Sequence, residues 1–564
     1  MKRPSPSLKF VALLVSAASL FGASKISRDL QSITQTSDVL IQFTITPPTA
    51  AAIASVTKGG GTLKKQFKNI TGTAVYTLPA SVIPSLATNT YVKYASPDRH
   101  LKGTLEFAEP TTNANTALAY GYNGSGVNVA VIDSGIGASN DFGSRVIYSQ
   151  SFVPGDTSTN DLYGHGTHVA GVIGGSGYNS SLGSVIYTFR GIAPNANLVN
   201  LRVLDANGQG SDSAVIAAID HAITLKTRLT NPINIHVINL SLGRQAFESY
   251  TLDPLCQAVE RAWAAGIVTV VAAGNNGRDN SLNTNGYSTI ASPGIDPYVI
   301  TVGAMKDGGT VLREDDLMAS YSSKGPTLQD HIVKPDLVAP GNNIISALAS
   351  NSGIITKYPA NVVAINYYKT TSNTKDSASY FKLSGTSMAA PMVAGAAALL
   401  LQKDPLLAPD TIKARLMKTA TKSFPVSSSM TDPTTNITYT TNYDLFTVGA
   451  GYLDVWAALT NSDILPIGTS AISPTALFNA TTNTVSLIGG TNVVWGGNVV
   501  WGSSVVWGSN VVWGANVSGN SVVWGGNVVW GDSTTTGFNV VWGDNVVWGD
   551  ASVFSEGLSI KGEK

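Results

Sequence analysis

Short apolar runs alternate with helical segments through the middle of the chain. The apolar runs are V-N-V-A-V-I at 127–132, A-N-L-V-N-L-R-V-L at 196–204, I-H-V-I-N-L-S-L at 235–242, I-V-T-V-V-A-A at 267–273 and Y-V-I-T-V-G at 298–303. Helices are predicted over 211–225, 252–265, 386–402 and 410–419. Strands that are apolar on both faces and separated by helices predict an α/β fold with a mostly parallel sheet flanked by helices. Binding and catalytic residues of such folds gather at the carboxyl ends of the strands.

A smaller pattern precedes this region. Strands are predicted at V-L-I-Q-F-T-I, at A-V-Y-T-L and at Y-V-K-Y, and helices at P-T-A-A-A-I-A-S-V and over 80–86. Alternation on this scale is typical of a small α+β unit. We expect it to form a domain of its own within residues 25–110.

The first 24 residues have the composition of a signal peptide. Basic residues at positions 2 and 3 are followed by an apolar run over 10–21 and by the small residues Gly22, Ala23 and Ser24. That run is too short to span a bilayer comfortably, and no later segment reaches about 18 consecutive apolar residues. The sequence therefore predicts export, with the protein secreted, extracellular or associated with the cell surface.

The C-terminal part of the chain is a tryptophan repeat. Eight of the ten tryptophans lie in V-V-W-G units, usually six residues apart. Because six is a multiple of the strand period, an extended chain would present each unit to the same face. We expect a β-rich and solenoid-like repeat region at 491–550 with its tryptophans stacked in register, between a Ser/Thr/Asn-rich linker at 461–490 and a tail at 551–564. The alternative is a low-complexity segment with no fixed fold.

The overall charge argues against some classes of binding partner, and the cysteine count excludes stabilisation by an intramolecular disulfide. Lys plus Arg (35) equal Asp plus Glu (35), so no net field attracts nucleic acid or an anionic membrane. With one cysteine the chain has no intramolecular disulfide. Cys256 lies in a predicted helix core, where a buried apolar filler is a better interpretation than a thiol nucleophile.

Three distant motifs supply an acid, a base and a hydroxyl. They are V-A-V-I-D-S-G with Asp133, G-H-G-T-H-V-A-G with His165, and S-G-T-S-M-A-A-P with Ser387. Each residue alone has a structural explanation: a turn cap, a structural histidine and a residue of a helix N-terminus. Together they are what acyl transfer by serine requires, because an imidazole must remove the hydroxyl proton and a carboxylate must orient the imidazole.

The order Asp, His, Ser and the flanking residues resemble the subtilisin-like serine proteases (subtilases). The resemblance implies a serine endopeptidase in which Ser387 attacks, His165 transfers the proton and Asp133 orients His165. It also implies that the N-terminal α+β unit is an inhibitory propeptide, removed by the enzyme's own cleavage between about residues 105 and 120. His168 is assigned to packing, because the family places the base at the first histidine of the motif.

The resemblance extends to the groups that bind substrate. In A-A-G-N-N-G, Asn275 occupies the family's oxyanion position, and Ser241, Leu242 and Gly243 match the segment that pairs with the substrate backbone. Gly274 and Ala291 would line the pocket for the residue before the cut, which favours medium apolar side chains. Arg244 stands where the family often has a second glycine. This departure leaves the shape of the pocket rim, and hence the side-chain preference, undecided.

No cofactor is required by this chemistry, and structural calcium is the metal to consider. Family members often bind calcium in the loop after the histidine helix, but residues 171–191 contain no Asp or Glu, which argues against that site. Asp156 and Asp161 are the remaining candidate ligands. As exposed loop acids, they would more often be solvated.

The expected partners are protein or peptide substrates and the chain's own propeptide. A different hypothesis treats the protein as a surface-binding or self-associating module in which the V-V-W-G repeats contact a polysaccharide or a cell surface. A third possibility, the acid-acting sedolisins, shares S-G-T-S. The H-G-T-H motif argues against it, because those enzymes use a glutamate as base.

Overall fold

A computed structural model describes residues 25–479 except 32, 99, 102–109, 184, 231, 282, 308–311, 433 and 434, and beyond these the segments 484–488, 493–495, 499–501, 506–507, 511–513 and 522–524 and residue 563. The predicted signal peptide lies outside the described residues. None of the helices in the described part is both long and apolar enough to cross a membrane.

The N-terminal unit is a four-stranded antiparallel sheet with one longer helix. Its elements are α1 (Arg28–Gln31), β1 (Ser37–Phe43), α2 (Ala50–Thr57), β2 (Thr62–Gln66), β3 (Thr73–Leu78) and β4 (Val92–Pro97). The sheet order is β2-β3-β1-β4, and Val39 and Ile41 of β1 pack with Val56 of α2 in one apolar core. The predicted helix over 80–86 is a 3₁₀ turn at Ile83–Ala87. This unit has the α+β architecture that the sequence predicts.

The large unit is built on an eight-stranded sheet. The strands of this unit are β5 (His100–Leu101), β6 (Asn128–Asp133), β7 (Val146–Ser151), β8 (Asn197–Arg202), β9 (Gly210–Ser211), β10 (Ile235–Leu240), β11 (Val268–Ala272), β12 (Ile300–Lys306), β13 (Leu317–Met318), β14 (Leu337–Pro340), β15 (Ile344–Ala347), β16 (Val362–Ala364), β17 (Asp376–Leu383), β18 (Ser427–Thr431) and β19 (Thr438–Asn442). The strands of the main sheet run in the order β13-β12-β11-β10-β6-β8-β7, β14 also pairs with β12, and every pair is parallel except β12 with β13. The α/β fold with a mostly parallel sheet is confirmed.

Helices cover both faces of this sheet. The helices of this unit are α3 (Ala114–Ala119), α4 (His165–Gly174), α5 (Tyr178–Ser181), α6 (Asp212–Thr227), α7 (Pro254–Ala264), α8 (Gly353–Lys357), α9 (Ile365–Tyr368), α10 (Thr386–Lys403), α11 (Pro409–Thr419), α12 (Leu445–Val448) and α13 (Val455–Thr460). One apolar core contains α4 and α10, and the other contains α6 and α7. Helix α10 contacts β10, β11, β12 and α4, so it is the central helix of its layer.

Beyond residue 474 the structure describes short strands and residue 563. They are β20 (Thr475–Asn479), β21 (Thr484–Ile488), β22 (Val493–Trp495), β23 (Val499–Trp501), β24 (Val506–Trp507), β25 (Val511–Trp513) and β26 (Val522–Trp524). β22, β23 and β24 pair antiparallel, with Trp501 opposite Val493 and Trp495 opposite Val499. The repeat region as a whole stays a prediction.

Candidate active site

Asp133 and His165 form a buried pair at the edge of the sheet. Asp133 is the last residue of β6 and His165 is the first residue of α4. The imidazole Nδ1 lies 2.6 Å from Asp133 Oδ1, and both side chains are fully buried. The carboxyl end of a strand and the first turn of a helix thus bring together an acid and a base that are 32 residues apart in sequence.

A second acid, Asp161, fixes the backbone around this pair. Its Oδ1 accepts hydrogen bonds from Ser134 Oγ (2.8 Å) and Gly164 N (2.6 Å), and its Oδ2 accepts from Thr167 N (2.8 Å) and Thr167 Oγ1 (2.7 Å). Burial raises the pKa of Asp161, while the four hydrogen bonds oppose that rise. The expectation of a solvated loop acid is wrong, because these contacts clamp the residue after Asp133 to the residues beside His165.

Glycine is required where this helix meets the strand. A Cβ atom at Gly166 would lie 2.2 Å from the carbonyl oxygen of Gly135, so no larger residue fits without displacing the backbone. The Gly166 N–H donates instead to Ser134 Oγ at 2.8 Å. This close approach explains the glycine that follows His165 in the motif.

Ser387 lies in the first turn of α10, the helix that packs against α4. Its Oγ donates to the carbonyl oxygen of Ser241 at 3.0 Å, and Ser241 Oγ donates to the carbonyl oxygen of Ser387 at 2.7 Å. Asn239 Nδ2 supports Ser241 Oγ at 2.9 Å. The candidate nucleophile is therefore held directly against the candidate substrate-binding segment, which follows β10 with Ser241, Leu242 and Gly243.

Asn275 lies just beyond β11 and is oriented by Thr386. Its Oδ1 accepts hydrogen bonds from Thr386 N (2.9 Å) and Thr386 Oγ1 (3.1 Å), which turns the amide NH₂ to the opposite side. Gly274 has φ +106° and donates its N–H to Thr386 Oγ1 at 3.1 Å. The residue before Ser387 thus positions both Gly274 and Asn275.

Arg244 lies in a buried ion-pair cluster. Its Nε contacts Asp212 at 3.0 Å, and its Nη2 contacts Asp253 at 2.9 Å and Glu248 at 3.3 Å. Its backbone N–H and C=O pair with Ser292, which in turn donates its hydroxyl to Asp253 Oδ2 at 2.7 Å. The guanidinium therefore holds the end of segment 241–243 against the first turns of α6 and α7.

Removing the Arg244 charge should destabilise the fold. Arg244→Met keeps the aliphatic length but leaves three buried acids without their cation, and removing one partner of a buried ion pair costs about 3–5 kcal/mol. We expect the free energy of unfolding to fall by that amount, measured by denaturant unfolding in a Ser387→Ala background. Arg261→Met on the exposed face of α7 is the matched control and should change it by less than about 0.5 kcal/mol. Equal values for the two variants would contradict this account.

His168 and Cys256 are both buried and packed in the protein interior. His168 Nε2 lies 3.0 Å from Ile344 O and 3.1 Å from Phe381 O, and burial, with a smaller effect from His165, lowers its pKa to about 3. Cys256 is completely buried, and burial raises the pKa of its thiol. Neither residue has the environment of a base or a nucleophile at neutral pH.

The candidate calcium ligands do not fit a cation. Asp156 accepts from Arg202 Nη1 at 2.7 Å, and Asp161 accepts four protein donors. Asp141, which faces the 171–191 loop, accepts from Asn179 N and from Tyr380 OH, both at 2.8 Å. Calcium needs oxygen lone pairs that are directed at the ion, whereas these carboxylates receive hydrogens. Within the described residues, no group of three or more His, Cys, Asp or Glu could hold a metal ion.

Similarity to known proteins identifies the family of this chain. The pattern of the subtilase family, Peptidase S8, matches residues 124–451. The serine protease AprX of Bacillus subtilis is 38% identical over 364 residues, which cover 64% of this chain and 76% of AprX. Subtilisin DY of Bacillus licheniformis is 35% identical over 318 residues (56% and 92%), and subtilisin E of Bacillus subtilis is 34% identical over 370 residues (65% and 80%). With its parallel α/β fold, the chain belongs to the subtilase family and is a serine endopeptidase.

Proposed function

We propose that Ser387 is the nucleophile, His165 the general base and Asp133 the residue that orients the imidazole. The observation that carries this proposal is the fully buried 2.6 Å contact between His165 Nδ1 and Asp133 Oδ1. A hydrogen bond at Nδ1 places the lone pair of the neutral ring on Nε2, the nitrogen that must take the hydroxyl proton. The carboxylate then stabilises the imidazolium that forms.

The reaction passes through an acyl-enzyme. Ser387 Oγ attacks the peptide carbonyl carbon as its proton moves to His165, and the imidazolium then gives that proton to the leaving amine. Water then attacks the acyl-enzyme as His165 takes its proton, and the imidazolium returns that proton to Ser387 Oγ as the acyl–oxygen bond breaks. The negative charge on the tetrahedral oxygen is stabilised by the Asn275 amide NH₂ and by the Ser387 N–H.

Asn275→Ala tests this machinery in a graded way. The amide is preorganised by Thr386 and acts only when charge develops, so turnover should fall while KM changes little. The expected loss in kcat is about 10²–10³-fold, a magnitude borrowed from subtilisin itself, a relative of this chain. Steady-state hydrolysis of a chromogenic peptide measures it. Asn276→Ala is the matched neighbour and should keep kcat within about threefold; equal losses in both variants would argue against the role of Asn275.

Peptide substrates would pair with the backbone of Ser241, Leu242 and Gly243 as an added strand. Backbone pairing accepts many sequences, so side-chain preference depends on the pocket near Gly274 and Ala291. Arg244 does not contribute its charge to that pocket, because its guanidinium is held by Asp212, Glu248 and Asp253. This supports an apolar rather than an acidic residue before the cut.

The N-terminal unit would act as the intramolecular inhibitor. Asp220 of α6 accepts from the backbone N–H groups of Lys68 and Asn69, and Gln42 Nε2 donates to Leu252 O at 2.7 Å. The Asp98 carboxylate accepts from the N–H and hydroxyl of Ser213, in the first turn of α6. These contacts bind the N-terminal unit to α6 and to the segment before α7, which supports its role as an inhibitor of the catalytic domain that follows it in the chain.

The chain that joins the two units supports a self-cleaved precursor. β5 pairs antiparallel with β9, which extends the chain from the N-terminal unit along Gly210 and Ser211. Downstream, Arg313 Nε donates to Thr111 O at 2.6 Å, and Asn113 Nδ2 to Asp454 Oδ2 at 3.0 Å. Because residues from Thr111 onward already pack on the catalytic domain, we place the cut before Thr111.

The remaining domain assignments are part of the proposal. Residues 1–24 would direct export, 25–110 would inhibit and 111–460 would hydrolyse peptides at or outside the cell surface. Residues 465–476, within the predicted 461–490 linker, include the buried Ser473 and Ala476 and pack against the catalytic domain. The 491–550 repeats and the 551–564 tail would add surface contacts to a protein whose main activity is proteolysis.

A further inference from the structure

Glu563, the penultimate residue, is buried against the catalytic domain with 2% of its surface exposed. Its Oε1 accepts hydrogen bonds from Arg278 Nη2 at 2.8 Å, from Ser320 N at 3.0 Å and from Ser320 Oγ at 2.5 Å. One carboxylate oxygen therefore receives three donors. Charge-assisted hydrogen bonds of this kind are roughly twice as strong as neutral ones.

The backbone of the same residue is bound as well. Asn342 Oδ1 accepts from Glu563 N at 2.8 Å, and Asn342 Nδ2 donates to Glu563 O at 3.2 Å. Asn343 Nδ2 also donates to Glu563 O at 3.2 Å. Asn342 thus binds both the N–H and the C=O of Glu563, as a residue of a neighbouring strand would. Together, Arg278, Ser320, Asn342 and Asn343 form a slot for a glutamate residue within a peptide.

Arg278 of this slot is also held by contacts to the catalytic domain. Arg278 Nε donates to Ser320 Oγ at 2.6 Å, its Nη1 contacts Asp432 at 3.3 Å, and its guanidinium lies 4.8 Å from the ring centroid of Tyr439. Asp432 forms an ion pair with the Arg278 guanidinium, and the Glu563 carboxylate is a second acid on the same guanidinium. Because the arginine is preorganised, binding a glutamate costs little conformational entropy.

The other end of the tail region is also fixed to the catalytic domain. Ser473 Oγ donates to Asp336 Oδ1 at 2.5 Å, Val333 N donates to Pro474 O at 2.8 Å, and Ala476 N donates to His331 O at 2.8 Å. These contacts immediately precede and enter β20. The chain therefore leaves the catalytic domain at an anchored point and returns to it at Glu563.

We propose that the Glu563 slot is a binding site for the chain's own C-terminal end, which makes the V-V-W-G region a loop tethered at both ends and not a free tail. Two of the slot residues lie close in sequence or space to the segments that carry candidate site residues. Arg278 follows Asn275 by three residues, and the Asn343 N–H donates to Ser384 Oγ at 3.0 Å, three residues before Ser387.

The amide hydrogen of Ser320 reports directly on this slot, because it donates to Glu563. The full chain is prepared with Ser387→Ala, so that self-digestion cannot remove the C-terminus, and hydrogen exchange at Ser320 is measured by residue-resolved mass spectrometry. Adding Glu563→Ala should speed exchange at Ser320 roughly tenfold or more, the effect of losing one charge-assisted hydrogen bond. Glu556→Ala, which removes the other glutamate of the 551–564 tail, is the control and should leave Ser320 unchanged.

Two results would overturn the proposal: Ser320 exchange that is as slow with Glu563→Ala as in the parent, or equal acceleration by Glu563→Ala and Glu556→Ala. Neither result bears on the catalytic assignment, because all the proteins compared carry the same Ser387→Ala change. An intact mass for each protein verifies that residue 564 is still present.

Discussion

Ser387→Ala is expected to abolish peptide hydrolysis and to leave the precursor uncut. Without the hydroxyl no acyl-enzyme forms, and in subtilisin, from which the magnitude is borrowed, such a loss lowers kcat about 10⁶-fold. The residual rate would come from substrate binding and the oxyanion donors alone. Two measurements check this: chromogenic-peptide hydrolysis, and the masses of the chains recovered after expression.

The parent should yield two fragments separated at a bond before Thr111, whereas Ser387→Ala should accumulate as one longer chain. Ser429→Ala, on exposed strand β18, is the matched control and should process and hydrolyse like the parent. Processing of Ser387→Ala at the parental rate would mean that another protease cuts the precursor. Hydrolysis at the parental rate would remove Ser387 from the mechanism.

His165→Ala should be almost as damaging as loss of the nucleophile. The triad acts as a unit, because a hydroxyl without a base remains protonated, and the reference loss in subtilisin is again about 10⁶-fold in kcat. KM should change little, since the imidazole contributes to the transition state more than to substrate binding. Steady-state kinetics of the purified protein measure both constants.

His221→Ala provides the control for this histidine. His221 lies on α6, where its Nε2 is 2.8 Å from Tyr148 OH, and it has no part in the proposed chemistry. We expect its kcat to stay within about threefold of the parent. If both histidine variants lost activity equally, general destabilisation would explain the effect better than loss of a base.

The main sheet was predictable because its strands are continuous apolar runs. β6, β10 and β11 are almost fully buried, so their sequences carry no polar alternation to confuse the pattern. β2 was missed for the opposite reason: T-L-K-K-Q is an exposed strand at the edge of the N-terminal sheet, with two lysines. Exposed edge strands leave little hydrophobic signal.

The candidate acid and base could be predicted from local sequence motifs. The roles of the residues that support them could not. Asp161 looks like a loop acid, and only the fold shows that it binds Ser134 and Thr167 at the same time. Arg244 looked like a change at the pocket rim, whereas its partners Asp212 and Asp253 are supplied by two helices. Burial of a charge depends on tertiary contacts, which sequence spacing does not encode.

The central claim, that Ser387 is an activated nucleophile, is tested most directly by covalent labelling. The mature parent is compared with His165→Ala from which a separate protease has removed the N-terminal unit; each is treated with a fluorophosphonate, digested and mapped by mass spectrometry. A phosphonyl adduct on Ser387 alone, formed at least about a hundredfold more slowly in His165→Ala, is the result expected from base-activated attack. An adduct on a different serine, or equal labelling rates in the two proteins, would contradict the account.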